Sequence, residues 1–322
     1  MTDLAPMPDD RVPTEDAAQS GRRALTCHAP IGRVVVLVNP MSGGVGANAA
    51  AEAAEILEGF ACESEVISLE GDGMDQTIDT VLAGDADLIV VLAGDGTARA
   101  VASRAGSNGP LVAPLPGGTM NMLPRALYGD RDWETALRDT LADGQIRPVS
   151  GGEVGGHRFY VAALLGAPAL WALAREAVRE KRFDLAFRRA KRAARRAFSG
   201  RLRYSIEGGP LQKAEALSLM CPLVSRVLDD EDHVLEAAAL DPQGAADAFR
   251  LGVRTLRGNW RQDPAVEVFR CQYARAWASG LIPASIDGEP VRLPRHVEIR
   301  YHPEAFRALA PPPPQDAPSV VG

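Results

Sequence analysis

The chain has 322 residues, 46% of them hydrophobic and 24% charged, with a net charge of −7. That length exceeds one ordinary core and favours two domains, and the composition is that of a globular protein. The acidic balance argues against general nucleic-acid binding. Cys27, Cys62, Cys221 and Cys271 form no C-x-x-C pair, so a zinc site is not expected and a reduced cytosolic setting fits. No apolar run approaches the roughly 18–20 residues of a membrane-spanning helix.

In chain order, residues 1–30 read as a disordered leader. Arg33–Val38 is a buried strand by its β-branched run, and Asn39–Gly46 a glycine-containing loop. Ala47–Leu57 is helical, Glu65–Leu69 a strand and Gln76–Ala83 a helix. Asp87–Leu92 is a third strand and Thr97–Ala105 a helix. Leu111–Pro114 is a fourth strand, followed by helices from about Thr119 and over Trp133–Ala142. Strands alternating with helices imply a mainly parallel sheet covered on both faces, with ligands bound at the carboxyl ends of its strands.

From about Gln145 the texture changes. Short strand-like runs, Phe159–Leu165, Leu202–Glu207, Ala216–Met220, Val266–Phe269, Ala274–Ala278 and Val297–Tyr301, are separated by turn residues and predict an antiparallel β domain. The expected division is a leader over 1–30, an α/β domain over 31–144 and a β-sandwich domain over 145–309. A basic helix over 169–198 is inserted in the sandwich, and 310–322, with four consecutive prolines, is a disordered tail.

The chemistry gathers in the glycine turns. Gly94-Asp95-Gly96-Thr97 follows the third strand and places a carboxylate and a hydroxyl among glycines. Gly117-Gly118-Thr119-Met120-Asn121 follows the fourth and adds a hydroxyl and an amide. Glycine lets backbone N–H groups approach a phosphate, a helix N-terminus favours its charge, and a lone aspartate can hold Mg²⁺ or accept a proton. The pattern points to a nucleotide-phosphate site for phosphoryl transfer. Gly44-x-Gly46-x-x-Ala49 nearly matches a dinucleotide fingerprint, but five residues separate it from the strand. There is no G-x-x-x-x-G-K-[ST] and no protein-kinase signature. The five histidines form no ligand-spaced cluster.

Asn39-Pro40-x-Ser42-Gly43, Gly94-Asp95-Gly96-Thr97, Pro116-Gly117-Gly118-Thr119-x-Asn121 and Asp287-Gly288-Glu289, in that order, resemble the diacylglycerol kinase catalytic-domain family. That family includes bacterial lipid kinases and the sphingosine and ceramide kinases, and is distantly related to NAD kinases. The resemblance covers roughly Arg33 to Tyr301. It implies an α/β nucleotide domain, a C-terminal β-sandwich, a cleft between them, ATP and Mg²⁺ as co-substrates, and a membrane lipid as acceptor. By position, Asn39, Ser42 and Gly43 fall near the nucleotide, and Gly94, Asp95, Gly96 and Thr97 at phosphates and metal. Gly118, Thr119 and Asn121 form the opposite wall. Asp287 is the candidate base for the lipid hydroxyl, with Glu289 supporting it or binding metal, although Asp95 competes for the role of base.

Three departures stand out. Ala93 replaces a usual glycine, Arg99-Ala100 stand where an acid is usual, and Phe159-Tyr160-Val161 replaces an aromatic-aromatic-Asn. Asp229, Asp230, Glu231 and Asp232 form an acidic run where some relatives bind a structural Mg²⁺, making Asp230 and Asp232 metal candidates and a solvated turn the alternative. The competing functions are a soluble NAD kinase-type phosphotransferase and an inactive member that binds lipid or nucleotide. A homodimer is compatible with the sequence.

One stretch is cationic. Arg175–Arg203 holds twelve Lys/Arg against three Asp/Glu, interleaved with Phe183, Phe187 and Phe198. A basic amphipathic helix suits an anionic membrane surface and implies peripheral attachment at the inner face of the membrane; a solvated helix face is the plain alternative, and RNA binding lacks any module. Polybasic attraction is worth about 1 kcal/mol per cation and is screened by salt. Changing Arg188, Arg189, Lys191 and Arg192 to glutamate is therefore expected to abolish co-sedimentation with anionic vesicles, and salt to weaken it in the wild type. Coincident salt curves for the two proteins would assign the stretch to a solvated face.

Overall fold

The computed structural model describes residues 31–69, 71–166, 201–228, 230–256 and 258–312. The expected insert over 169–198 lies outside the described residues.

Buried apolar runs build the first half. β1 (Arg33–Val38), β3 (Leu88–Ala93) and β4 (Leu111–Pro116) are buried almost throughout, while β2 (Glu63–Ser68) is a largely exposed edge. All pair in parallel, in the order β2-β1-β3-β4. Strands buried on both faces need apolar residues at every position, which explains R-V-V-V-L-V and L-I-V-V-L-A. The helices α1 (Ala49–Glu58), α2 (Met74–Leu82), α3 (Asp95–Ala105), α4 (Met122–Tyr128) and α5 (Trp133–Asp143) intervene in sequence. Their ranges match the expected helices to within a few residues.

The second half is antiparallel. β5 (Gln145–Val154), β6 (His157–Phe159), β7 (Ala162–Gly166), β8 (Leu202–Ile206), β9 (Gln212–Ala214), β10 (Ala216–Met220) and β11 (Leu235–Leu240) lead to helix α6 (Ala245–Leu256). β12 (Val266–Cys271), β13 (Tyr273–Trp277), β14 (Ile282–Ile286), β15 (Glu289–Leu293) and β16 (His296–Ala310) follow. One sheet runs β12-β11-β10-β7-β14-β15; the other joins β16, β13, β8 and β9 to the parallel strands, with β5 against β16 and β6 against β5. The two sheets enclose a second core around Phe159, Leu217, Leu235 and Ile286. The α/β sheet followed by a C-terminal β-sandwich is the expected fold class.

Three local readings are corrected. The run Phe159–Leu165 is two strands: β6 pairs with β5 in one sheet, and β7 pairs with β10 and β14 in the other. The chain changes sheets at Tyr160–Val161. The strand expected over Val297–Tyr301 is fifteen residues long, and Ala310, assigned to the tail, is its buried last residue. β16 pairs with β13 and β5, and at Ala308 runs parallel to Val112 of β4. Its register against β5 shifts between His302 and Phe306, where Pro303, which has no N–H for a ladder, is accommodated. β11 was not anticipated, because L-E-A-A-A-L favours helix by propensity, yet pairing on both sides makes it a strand.

The register shift is where β16 passes from one core to the other: Val297 and Ile299 belong to the sandwich core, Phe306, Ala308 and Leu309 to the α/β core. Phe306 is fully buried and meets Tyr160 edge-on at a centroid distance of 4.9 Å. Phe306→Ala is expected to lower stability by about 3–5 kcal/mol. Urea denaturation checks this, and a loss below about 1 kcal/mol would mean that the junction is loosely packed.

Candidate active site

Three loops leave the carboxyl ends of β1, β3 and β4 and touch one another backbone to backbone. A Cβ on Gly44 would lie 2.8 Å from the Gly118 carbonyl oxygen, and one on Gly118 would lie 2.9 Å from Gly94 Cα. A Cβ on Gly117 would lie 2.7 Å from Ala93 N. Glycine is thus required at these places for close approach, and the loops form one surface. Side chains tie the first loop to the second and brace the first and third internally. Gly94 N–H donates to Ser42 Oγ at 3.1 Å, Gly118 N–H to Asn121 Oδ1 at 2.6 Å and Met41 N–H to Asn39 Oδ1 at 3.0 Å. Asn121 itself takes a left-handed conformation, φ 49°, which asparagine tolerates better than most residues.

The turn Asp287-Gly288 joins β14 to β15, with φ of 45° and 86°. Asp-Gly between paired strands is the sequence signal for such a hairpin. This turn faces the loops across a cleft of about 570 Å³ lined by Ser42, Gly43, Gly94–Thr97, Gly118, Thr119 and Asp287–Pro290, together with Met41 and Met120. Of the sequence-based candidates, the cleft brings together Ser42, Gly43, Gly94, Asp95, Gly96, Thr97, Gly118, Thr119, Asp287 and Glu289. Asn39 and Asn121 are not among its lining residues; their side-chain oxygens shape the loops. Thr97 Oγ1 is turned to Met74 Sδ at 3.9 Å.

Asp95 opens α3. Burial raises its pKa above the ordinary value; the amides of Leu123, Met122 and Asn121 pull it down, and Glu289 pushes it up. Its Oδ1 is buried without a hydrogen-bond partner. Asp95 lines the cleft, and a buried carboxylate oxygen without a partner is costly.

Asp287 is 4% exposed. Its Oδ1 accepts N–H bonds from Val161 at 3.0 Å and Ala162 at 2.9 Å, and its Oδ2 accepts one from Tyr160 at 2.9 Å. Those are the residues at which the chain changes sheets. Burial pushes Asp287 up to about 6, against the pull of these amides and of Arg99.

Glu289 is ion-paired. Arg99 Nη2 donates to its Oε2 at 2.5 Å, and Arg99 Nη1 to the carbonyl of Ile286 at 2.8 Å. The Glu289 carboxylate also presses on Gly96. Sequence reasoning treated Arg99 only as a lost acid, and gave no role to Met41, Met120 or the Tyr160–Ala162 amides. The i, i+4 spacing of Asp95 and Arg99 on one helix was the available signal.

Away from the cleft, Asp232 accepts from Arg270 Nη1 at 2.9 Å. The Asp230 side chain lies outside the described residues. Among those described, no cluster of three His, Cys, Asp or Glu side chains could hold a metal ion. No helix among them is long and apolar enough to cross a membrane.

Comparison with known proteins agrees with this geometry. No curated protein sequence matches the chain. A diacylglycerol kinase from Bacillus anthracis shares the fold with a TM-score of 0.62 at 14% identity, over 88% of this chain and 98% of that one. Two candidate diacylglycerol kinases from the same organism give TM-scores of 0.65 at 15% and 16% identity, over 88% of this chain and 99% of theirs. The family model of the diacylglycerol kinase catalytic domain matches residues 33–154, the span from β1 to the end of β5 that holds all three glycine loops.

Proposed function

We propose that this protein is an ATP- and Mg²⁺-dependent lipid kinase that phosphorylates a hydroxyl of a membrane lipid, such as diacylglycerol, ceramide or a sphingoid base. The observation that carries the reading is the cleft itself. Three glycine loops in mutual contact face an Asp-Gly-Glu turn, and Asp95 Oδ1 is buried there without a partner.

The N-terminus of α3 at Asp95–Thr97 would offer its N–H groups to nucleotide phosphates, while the N–H groups of Gly94 and Gly118 are engaged by Ser42 and Asn121 and hold the loops in shape. The donor set suits Mg²⁺, which binds through one or two carboxylates plus phosphate oxygens and water. Asp95 would hold the ion, which when bound neutralises phosphate charge. The lipid hydroxyl oxygen attacks the γ-phosphorus in line, its proton passes to Asp287, and the bond to the β-phosphate oxygen breaks to release ADP. Asp287 Oδ2 carries one amide bond where Oδ1 carries two, which favours Oδ2 as the receiving atom. Catalysis is chiefly positioning and charge neutralisation. Membrane attachment through 175–203 belongs to the same proposal and delivers the acceptor.

Labelled ATP offered with a panel of lipid vesicles tests the reading. Transfer of label to a lipid is expected; label on NAD without vesicles, or vesicle binding without ADP release, would replace it with a competing function. Asp95→Asn should reduce turnover at least about a hundredfold, with the melting temperature little changed, because it removes charge and keeps shape. Near-wild-type turnover would take Asp95 out of the mechanism.

Asp287 gives a pH prediction with two opposite signs. Its ordinary value of 3.8 rises to about 6 in the fold. The folded chain thus holds the proton more tightly than the unfolded chain. The linked stability is present in full below the ordinary value and is lost as pH rises through about 6. Activity runs the other way, since only the carboxylate accepts a proton. kcat/KM is expected to climb about tenfold per pH unit below that value and level off above it. A flat acid limb would remove Asp287 as the base.

A further inference from the structure

Arg99 stands one turn after Asp95 on α3, so both side chains leave the same helical face. Its guanidinium reaches across the cleft wall to both strands flanking the Asp287-Gly288 turn: Nη1 to the Ile286 carbonyl at 2.8 Å, Nη2 to Glu289 Oε2 at 2.5 Å. Ile286 and Glu289 are the closing pair of the β14–β15 hairpin. A single rigid fork therefore grips the hairpin immediately either side of the residue read as the proton acceptor. The Glu289 carboxylate also lies where a side chain at Gly96 would be, beside the first turn of α3, where the helix dipole favours a negative charge.

We propose that Arg99 is a positioning residue whose guanidinium clips the Asp287 turn of the sandwich onto the helix that carries Asp95, and so fixes the spacing of the two aspartates. The catalytic part of this inference rests on the phosphoryl-transfer reading of the cleft; the clip itself does not. Arg99 is not among the residues lining the cleft. It acts through the turn. Both turn residues have positive φ, which leaves the turn little freedom to adjust if its flanks move. Asp287 is tied on its other side to the amides of Tyr160, Val161 and Ala162, so a shift of the hairpin reaches the point where the chain changes sheets. Glu289 accordingly serves as a strut: its charge is met by Arg99 rather than left free for proton transfer. A lysine could neutralise Glu289 but could not bridge a carbonyl and a carboxylate with planar fork geometry. The ion pair is part-exposed, with side-chain accessibilities of 19% and 45%, so its contribution is one of placement more than of stability.

The test uses Arg99→Met, Arg99→Lys and Glu289→Gln in the full chain, with two independent readouts. Amide hydrogen exchange measures the clip without reference to activity. At Tyr160, Val161 and Ala162, Arg99→Met is expected to speed exchange at least about tenfold while β1, β3 and β4 keep wild-type protection. Steady-state phosphorylation of a lipid in vesicles measures the positioning. For Arg99→Met, kcat should fall about a hundredfold, the loss expected from misplacing a reacting group by about 1 Å, with nucleotide KM changed less than about threefold. Arg99→Lys should recover little of the lost kcat, and Glu289→Gln should fall between Lys and wild type. Unchanged exchange in Arg99→Met overturns the clip. Full activity in Arg99→Lys overturns the fork and leaves only a charge. If the wild type phosphorylates no lipid, the functional reading fails, and the exchange arm alone decides whether Arg99 holds the turn.

Discussion

The buried carboxylate of Asp287 is the constraint on which the architecture turns. It accepts three consecutive main-chain N–H groups at Tyr160, Val161 and Ala162, where a single apolar run leaves one sheet and enters the other. A strand that changes sheets must abandon its ladder for a residue or two, and the freed amides need acceptors because unpaired buried amides are costly. Asp287 supplies them from the hairpin that faces the glycine loops. The tie that lets the chain cross between layers thus also fixes a carboxylate at the edge of the cleft. Burial raises the affinity of that carboxylate for a proton, while the amides hold it in place.

The long strand β16 provides the complementary frame. Its first half packs in the sandwich core and its last residues return to the parallel sheet beside β4. The two halves of the molecule therefore share a sheet rather than hang from a linker. Loops at the ends of β1, β3 and β4 and the hairpin β14–β15 can be kept in register across the cleft because one continuous backbone underlies both. Pre-organisation of this kind matters where the chemistry consists mainly of placing charges.

The legible parts of the sequence were those in which one physical demand acts alone. Buried parallel strands need unbroken apolar runs, and R-V-V-V-L-V and L-I-V-V-L-A can do little else. Glycine clusters after such runs announce close backbone approach, and the contacts of Gly44, Gly117 and Gly118 bear this out. The hidden parts were those where a residue answers to something distant in the chain. Phe159–Leu165 reads as one strand because apolarity does not record which sheet each half joins. Leu235–Leu240 does not stand out as a strand because alanine propensity is local and ladder pairing is not. Asn39 and Asn121 are nucleotide candidates by position, and the sequence does not record that their side-chain oxygens also accept N–H bonds within the loops. Arg99 read as an absent acid because its partners, Ile286 and Glu289, lie nearly two hundred residues away.

Those departures from the family pattern can be weighed by what surrounds them. Ala93 ends β3 fully buried in extended backbone, where a methyl group is accommodated; the close contact at this point is made by Gly117, whose own missing side chain leaves room for the Ala93 main chain. Arg99 in place of an acid changes the charge count. Asp95, Asp287 and Glu289 are three carboxylates around one cleft, and the charge of Glu289 is among the causes that raise Asp95. The guanidinium meets one of them, and it does so at Glu289, which is less buried than Asp287. Asp95 and Asp287 keep distinct surroundings, one with an unpartnered oxygen and one with two amide bonds to Oδ1 and one to Oδ2. Two carboxylates in unlike environments are suited to unlike tasks, and the replacement at position 99 keeps that difference while removing the charge that would blur it.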